Sequence, residues 1–395
     1  MRNRIINFLK TNQNILEICW KIAKIFLKIC SLFVKIDSKT ILFASFGGRK
    51  YDDSPKAIYD EICLREEFKD YKLIWAFVNP NKYRIPRGEK VKIDTYSFFK
   101  ILLQAKIWVS NSGMDRGIEL ERKGIIKVET WHGTPLKKIG GEENKNSLKR
   151  IENLVEKDKK TIRCAQSEYD REIFSRIFNA EKSSILLSDL PRNDKLLKYT
   201  QEEIKNIKKE LNIDINKKVI LYTPTYREYL INENSETYIA PPINLKKWKA
   251  KLGKEYILLI RAHYAVNAAL EIKDDDFVKN VSDYYSLNNL YIVSDMMISD
   301  YSSTYFDYSI LSRPMYCFAY DLEEYKEKRG LYLELDKSLP CKINKTEDEL
   351  IKDILNSNYE EKSEKTYRFH KKYSPYAGNA SKIVVDEILK KLKEK

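Results

Sequence analysis

Residues 218–223 read KVILYT, a short apolar run that ends in threonine and begins a new series of such runs along the chain. Short runs that are rich in β-branched and aromatic residues predict buried strands. The later members of the series are Tyr256–Ile260, Leu290–Val293, Met296–Ser299 and Met315–Ala319. A charged stretch at 195–215, typical of a helix, precedes the series, so the organisation of the chain changes near this point.

An earlier series of the same kind begins at Thr40–Phe46 and continues through Lys72–Val78, Lys106–Ser110, Ile125–Thr130, Ile162–Gln166 and Ser184–Leu187. Amphipathic segments such as Ser54–Phe68 and Ser97–Gln104 separate the apolar runs. Alternating strands and helices predict a parallel sheet that helices cover on both faces. Two series therefore predict an α/β protein with two Rossmann-like domains facing a cleft, where ligands bind at the carboxyl ends of strands. A single doubly wound domain with a helical cap is the alternative.

The amino-terminal arm is basic and amphipathic, and we predict it at 1–38, before domains at 39–200 and 201–395. The last helix of the second domain could pack back on the first. Lysines at positions 21, 24, 28 and 35 share one helical face, and an apolar arc contains Ile22, Ile25, Phe26, Ile29, Leu32 and Phe33. Such a helix either lies in the headgroup plane of an anionic membrane or packs on the protein with its lysines outward.

The composition favours an anionic partner, because 72 Lys and Arg against 58 Asp and Glu give a formal charge of +14 over 395 residues. The lysines are spread along the chain rather than clustered with aromatic residues, so a basic nucleic-acid-binding or membrane-binding protein without enzymatic activity ranks second. Six well-separated cysteines without a CxxC pair favour buried thiols in a reducing cytoplasm. The sequence also lacks GxGxxG, GxxxxGK[ST], HExxH and GxSxG, which disfavours the enzyme classes that carry them.

The stretch TWHGTPLKK at 130–138 follows a predicted strand and contains His132, one of only three histidines. An imidazole that titrates near neutrality can take a proton from an attacking hydroxyl. Gly133, Thr134 and Lys137 are the candidates for the acceptor side of such a site. The alternative is a histidine that only satisfies a hydrogen bond within its loop.

Polar residues at the strand ends of the second series predict a site for a phosphorylated donor. The candidates are Thr223, Arg227, Arg261, His263, Asp300, Ser302, Ser303, Asp321 and Glu323. Threonine and arginine can offer hydroxyls and a forked guanidinium to phosphate. Ser302 and Ser303 would begin a helix whose backbone N–H groups favour an anion, although serine there is also a common N-cap.

These motifs, in this order, resemble the CDP-glycerol glycerophosphotransferase family, the primases and polymerases of wall teichoic acid and related capsules. The similar segments span roughly residues 40–385 and include 131–137, 191–194, 224–227, 299–303, 306–307 and 313–323. Two departures stand out. Tyr264 follows His263 where the family usually has proline, and Ala377 precedes Gly378 where the family often has aspartate.

The resemblance implies a GT-B enzyme in which an acceptor hydroxyl attacks the β-phosphorus of CDP-glycerol and releases CMP. His132 would be the general base. The diphosphate would be held by His263, Thr223, Arg227, Ser302 and Ser303, and Asp321 or Glu323 would lie near the hydroxyls of the donor. No carboxylate cluster indicates an obligatory metal ion, and a loosely held Mg²⁺ stays open. The acceptor would be lipid-linked or a glycan, and the protein would lie peripherally on the cytoplasmic face of the cell membrane. Open alternatives are CDP-ribitol or a nucleotide sugar as donor, primase or polymerase action, and the oligomeric state.

Overall fold

The computed structural model describes residues 13–115, 118, 120, 122–143, 158–227, 240–262, 270 and 272–394. The chain divides into two compact units. The first comprises the residues up to His132 together with Lys160–Arg163 and the residues from Ser381 onward. The second comprises the residues from Gly133 to Lys159 and Cys164–Ala380.

The first sheet has seven strands in the order β3-β2-β1-β4-β5-β6-β7. The pairs from β3 to β6 are parallel. The order of the first six strands is that of a Rossmann fold, which reverses direction between β1 and β4. The strands are β1 Asp37–Ala44, β2 Lys72–Phe77, β3 Glu89–Lys92, β4 Ala105–Ser110, β5 Ile126–Glu129, β6 Ile162–Ala165 and β7 Ile185–Leu187.

The second sheet lies in the second unit and repeats this order as β10-β9-β8-β11-β12-β13. All five of its strand pairs are parallel. Its point of reversal lies between β8 and β11, where Thr223 pairs with Ser299 at the carboxyl ends. The strands are β8 Lys218–Thr223, β9 Tyr256–Ile260, β10 Val278–Asn280, β11 Met296–Ser299, β12 Met315–Phe318 and β13 Ile343–Asn344.

The second sheet has an apolar core on each face, which explains why its central strands are mostly apolar. Val219 and Leu221 of β8 pack into one core, whereas Ile220 and Tyr222 pack into the other. Successive side chains of a strand point to opposite faces, so a strand covered on both sides cannot alternate with polar residues.

The helices have the bounds α1 Gln13–Phe33, α2 Asp53–Leu64, α3 Tyr96–Gln104, α4 Glu168–Ile177, α5 Gln201–Glu210, α6 Leu245–Leu252, α7 Leu287–Val293, α8 Thr304–Ser309, α9 Leu322–Arg329, α10 Leu335–Ser338, α11 Glu347–Asn356, α12 Tyr359–Tyr373 and α13 Ala380–Lys393. A 3₁₀-helix at Pro191–Leu197 precedes α5. The charged stretch predicted as helical therefore contains α5, which begins with a capping box at Thr200.

The predicted α/β class with two parallel sheets is confirmed, and one predicted strand is wrong. Leu290–Val293 belongs to α7, which begins after Ser286, whose Oγ accepts a hydrogen bond from Asn289 N. A short apolar run fits a buried helix as well as a buried strand, so periodicity could not separate them. The sequence did not indicate β3, β10 and β13, which are short, carry polar residues and lie at sheet edges.

The predicted helical arm is present as α1, and one of its edges packs on the first unit. Leu27 is buried in the core of that unit, and the guanidinium of Arg122 donates a hydrogen bond to Val34 O just beyond the helix. A broad apolar face is nevertheless exposed, with Ile18, Ile22, Ile25, Phe26, Ile29, Leu32 and Phe33. Among the described residues, no helix is both long and apolar enough to cross a bilayer.

Candidate active site

The carboxyl ends of β1, β4 and β5 lead into three loops of the first unit, which contain Phe46, Asn111 and His132. Phe46 N donates a hydrogen bond to Asn111 Oδ1 over 2.8 Å, and Gly47 N donates to Ser112 Oγ over 2.9 Å. The loops after β1 and β4 are therefore fastened together at the point where the strand order reverses. Ligands of open α/β sheets bind at this kind of position.

The ring of His132 is oriented by a backbone carbonyl. Its Nδ1 lies 2.8 Å from Asn111 O. A carbonyl oxygen can only accept, so Nδ1 carries the proton and the lone pair of the neutral ring is on Nε2. The ring also stacks on Trp131, with 4.2 Å between centroids, and Phe46 lies 5.9 Å away. This arrangement presents the imidazole in the tautomer that a general base needs at Nε2.

Gly133 begins the second unit, and its Cα approaches Ser303 closely. A Cβ at this position would lie 2.6 Å from Ser303 Oγ and 2.9 Å from Ser303 Cβ. The backbone there has a φ of +151°, which L side chains rarely adopt. Only glycine satisfies both constraints. Two segments that the sequence suggested for acceptor and donor, 133–137 and 302–303, therefore meet within the second unit.

Thr134 lies in the interior, so the structure gives its hydroxyl internal partners. Its Oγ1 lies 2.7 Å from Gln166 Oε1 and 2.8 Å from Asp170 Oδ2. Gln166 Nε2 in turn donates to Asp189 Oδ1 over 3.3 Å. Burial raises the pKa of Asp170 and of Asp189 to about 7. These buried groups hold the chain just after Gly133, and a direct contact of Thr134 with the acceptor stays a prediction.

A second buried link connects the 3₁₀-helix Pro191–Leu197 with α8. Arg192 Nη2 donates to Asp307 Oδ2 over 2.6 Å, and Asn193 Nδ2 donates to Asp307 Oδ1 over 2.8 Å. Asn193 Nδ2 also donates to Asp189 Oδ1 over 2.9 Å. Ser303, which precedes α8, is thus supported by the same buried network that holds Thr134. The sequence indicated this segment only through the resemblance.

The carboxyl ends of β8 and β11 form a polar edge in the second unit. Thr223 Oγ1 donates to Ser299 Oγ over 3.0 Å, and Asp300 Oδ1 accepts from Thr225 N over 3.0 Å. Thr223 and Asp300 are both buried, and the two hydrogen bonds that they form hold the ends of β8 and β11 together. A contact of either side chain with the donor stays a prediction.

Arg227 is 4% exposed and forms a buried ion-pair network. Its Nε and Nη2 donate to Asp321 over 2.7 and 2.9 Å, and Nη1 donates to Asp300 over 2.8 Å. The guanidinium also lies 4.8 Å from the ring centroid of Tyr301 and 5.2 Å from that of Tyr325. Burial alone would lower the pKa of Arg227, but the two carboxylates raise it. The sequence predicted phosphate binding, whereas these contacts use the guanidinium to join the ends of β8, β11 and β12.

Two further candidates lie at the same ends of the second sheet. Ser302 is half-buried, and its Oγ accepts from Thr304 N over 3.3 Å at the start of α8. Arg261 follows β9, is half-buried, and donates from Nη1 to Tyr284 O over 2.8 Å. Both residues are therefore partly open at strand ends, where the sequence placed them.

The three remaining candidates, Glu323, Lys137 and His263, differ in how far they are exposed or described. The side chain of Glu323 is 77% exposed near Lys326. Lys137 is half-buried, and its backbone bridges to Leu331. His263 lies outside the described residues. Where side chains are described, no group of three or more His, Cys, Asp or Glu is arranged to hold a metal ion.

Asn111 was missed by the sequence-based prediction, although a signal was present. It directly follows the predicted strand Lys106–Ser110, and His132 follows the next predicted strand, Ile125–Thr130, by two residues. The rule that polar residues after parallel strands gather at one edge applied to both. However, Asn111 contacts His132 through its backbone oxygen, which every residue type has. The sequence therefore could not predict this contact.

Comparison with known proteins decides the family. Residues 26–390 match the family described as CDP-glycerol:poly(glycerophosphate) glycerophosphotransferase. The chain belongs to this family. The predicted family and the predicted transferase class are thereby confirmed.

Two curated relatives differ in length. The teichoic acid glycerol-phosphate transferase of Staphylococcus aureus (strain NCTC 8325 / PS 47) is 33% identical over 366 residues, which cover 89% of this chain and 92% of that protein. The teichoic acid poly(glycerol phosphate) polymerase of Staphylococcus epidermidis is 34% identical over 379 residues, which cover 91% of this chain. This chain spans about half, 52%, of that polymerase.

A solved structure supports the same relationship. A variant of the wall teichoic acid polymerase TagF soaked with CDPG superimposes with a TM-score of 0.82 and 30% identity. The match covers 100% of this chain and 99% of that one. Together with the two Rossmann-ordered sheets, it confirms the predicted GT-B class.

The close approach at Gly133 predicts that Gly133→Ala is destabilising. The added Cβ would overlap both Ser303 atoms, and overpacking of this kind costs about 1–3 kcal/mol. Gly124→Ala is the matched control, because Gly124 also has a positive φ but a Cβ there would meet only Ile36, at 3.5 Å. Chemical denaturation should show a larger loss for Gly133→Ala, and Ser303→Gly should restore part of it. Equal losses for the two glycine variants would contradict the packing argument.

The contacts of Arg227 predict that Arg227→Ala lowers the free energy of unfolding by about 3–5 kcal/mol, because two buried carboxylates lose their partner. Arg368→Ala is the control, since Arg368 pairs with Glu364 on an exposed helix surface and should change stability little. Denaturant titration measures both. A fully stable Arg227→Ala protein with a raised KM for CDP-glycerol would instead indicate direct phosphate binding.

Proposed function

We propose that this protein transfers glycerol phosphate from CDP-glycerol to a hydroxyl of a lipid-linked or glycan acceptor and releases CMP. The product would be part of a teichoic acid or a related capsule polymer. The observation that carries the proposal is the hydrogen bond of 2.8 Å between His132 Nδ1 and Asn111 O, which leaves Nε2 as the basic atom of the neutral ring. Family membership supports the donor class.

In the proposed reaction, the acceptor oxygen attacks the β-phosphorus of CDP-glycerol. A new P–O bond forms while the bond from the β-phosphorus to the bridging oxygen breaks, so CMP leaves. His132 Nε2 takes the proton of the attacking hydroxyl. Phosphoryl transfer relies mainly on positioning and on stabilising the charge of the transferred group.

The donor would be held by the polar strand ends of the second unit. Ser302 and Ser303 precede α8, and Arg261 follows β9, so hydroxyls and a cation are partly exposed there. We assign Arg227 a different part, because its donors are bonded to Asp300 and Asp321. It would keep the strand ends in register while the serines contact phosphate. The second histidine, His263, is proposed from its place in the sequence just after the predicted strand Tyr256–Ile260 and from the resemblance.

The base assignment predicts that His132→Ala lowers turnover by about 10² or more, the scale of a lost general base. The assay is CMP release from CDP-glycerol with a synthetic acceptor, with the added mass of the product measured by mass spectrometry. His132→Asn serves as a matched variant, since its amide can still donate to Asn111 O but cannot accept the proton at Nε2. Both proteins should keep the thermal stability of the wild type. Near-normal turnover in either folded variant would contradict the assignment.

We further propose that α1 attaches the protein peripherally to an anionic membrane. Its exposed apolar face carries seven large side chains, and Lys21 and Lys28 beside them are exposed as well. An apolar stripe flanked by lysines is suited to the boundary between headgroups and acyl chains. The attachment of α1 through Leu27 and Val34 would bring the catalytic units close to a lipid-linked acceptor.

Replacing part of this face should release the protein from vesicles. Phe26→Asp/Ile29→Asp removes two exposed apolar side chains, each worth about 1.5–3 kcal/mol when buried, so binding should fall by at least about tenfold. The measurement is co-sedimentation with vesicles that contain phosphatidylglycerol. Leu64→Asp is the control, because Leu64 is 82% exposed on α2 rather than on α1. Equal binding by all three proteins would contradict membrane attachment through α1.

A further inference from the structure

The loop after β4, residues 111–114, is the shared support of the catalytic edge in the first unit. Its first residue contacts His132 through the backbone oxygen and Phe46 N through the side-chain oxygen. Its second residue, Ser112, accepts from Gly47 N through Oγ and donates from its own N to Ser110 Oγ over 3.1 Å. Any displacement of this loop would therefore move the oxygen that orients the base.

Glu129, on the neighbouring strand β5, binds the backbone of the same loop. Its Oε2 accepts a hydrogen bond from Gly113 N over 3.2 Å, and the backbone of Met114 also donates to the carboxyl group. Glu129 is the last residue of β5, three residues before His132. The carboxyl group thus ties the loop that holds the ring to the strand that leads into it. Nothing in the function proposed above uses this residue.

The surroundings of Glu129 place its ionisation near neutrality. Glu129 is half-buried, and loss of solvent around its carboxyl group raises its pKa to about 7, which the two backbone N–H groups oppose. Asp115, on the loop side, raises the pKa further, and Arg163, its register partner on β6, lowers it. Lys127 on the same strand faces Trp108 instead, with 5.2 Å to the ring centroid. The carboxyl group therefore exchanges its proton in the pH range in which a histidine base works.

We propose that Glu129 is a positioning residue for His132, which acts through the loop at 111–114 and is fully effective only when its carboxyl group is ionised. An ionised acceptor binds backbone N–H groups about twice as strongly as a neutral one. Protonation of Glu129 weakens its hydrogen bonds to the loop. The loop, and with it Asn111 O, can then move away from the position that orients the ring of His132. The inference rests on the proposed role of His132 as the base.

The test compares Glu129→Gln with the wild type by measuring kcat for CMP release between pH 5.5 and 8.5. Glutamine keeps the size and an acceptor oxygen but never ionises. The ratio of wild-type to variant kcat should be close to one at pH 5.5 and should rise to about tenfold at pH 8.5, with a midpoint near 7. The KM for CDP-glycerol should stay within about twofold. Taking the ratio at each pH removes the effects of pH that are common to both proteins.

Glu129→Asp provides the second variant, because it keeps the charge on a shorter side chain. Its kcat should be lower than that of the wild type, yet the ratio of its kcat to that of the glutamine variant should still rise with pH. A ratio for Glu129→Gln that stays constant across the pH range would overturn the proposal and leave only a structural role. His132→Ala separates the two hypotheses. If it is inactive while Glu129→Gln matches the wild type at every pH, only the inference about Glu129 fails.

Discussion

The hydrogen bond from His132 Nδ1 to Asn111 O determines what the imidazole can do. Without it, the neutral ring would divide between two tautomers, and only one of them presents a base at Nε2. The bond depends on the loop after β4, whose position depends in turn on the strand order that brings β1, β4 and β5 side by side. The chemistry of one side chain is thus a consequence of the sheet's topology.

A second constraint, a steric one, acts on Gly133, the residue that follows His132. Gly133 must pass Ser303 without a side chain, and Thr134 is then held by buried Gln166 and Asp170. A buried network of this kind is costly unless every member has a partner, but when satisfied it defines one arrangement. Arg227 is likewise buried with its partners, because its guanidinium is paired with two carboxylates, those of Asp300 and Asp321. Rigid support of the reacting groups is what phosphoryl transfer requires.

The sequence predicted much of the fold, because the buried part of a strand that is covered on both faces must be apolar, as residues 219–222 and Tyr256–Ile260 are. It also placed His132 at a strand end. It could not predict the partners of Arg227, because Asp300 and Asp321 are 73 and 94 residues away along the chain. Leu290–Val293 was assigned to a strand because a run of four apolar residues does not distinguish the period of a helix from that of a strand. Tertiary contacts decided each of these cases.

The ring-nitrogen NMR signals of His132, in protein labelled with ¹⁵N-histidine, test most directly whether Asn111 O sets the tautomer of the ring. The chain has three histidines, so comparison with a His132→Ala sample assigns the signals. At a pH where the ring is neutral, the hydrogen bond to Asn111 O predicts a protonated Nδ1 and an unprotonated Nε2. The opposite tautomer, or an equal mixture of the two, would contradict the claim that Asn111 O prepares His132 to act as the base.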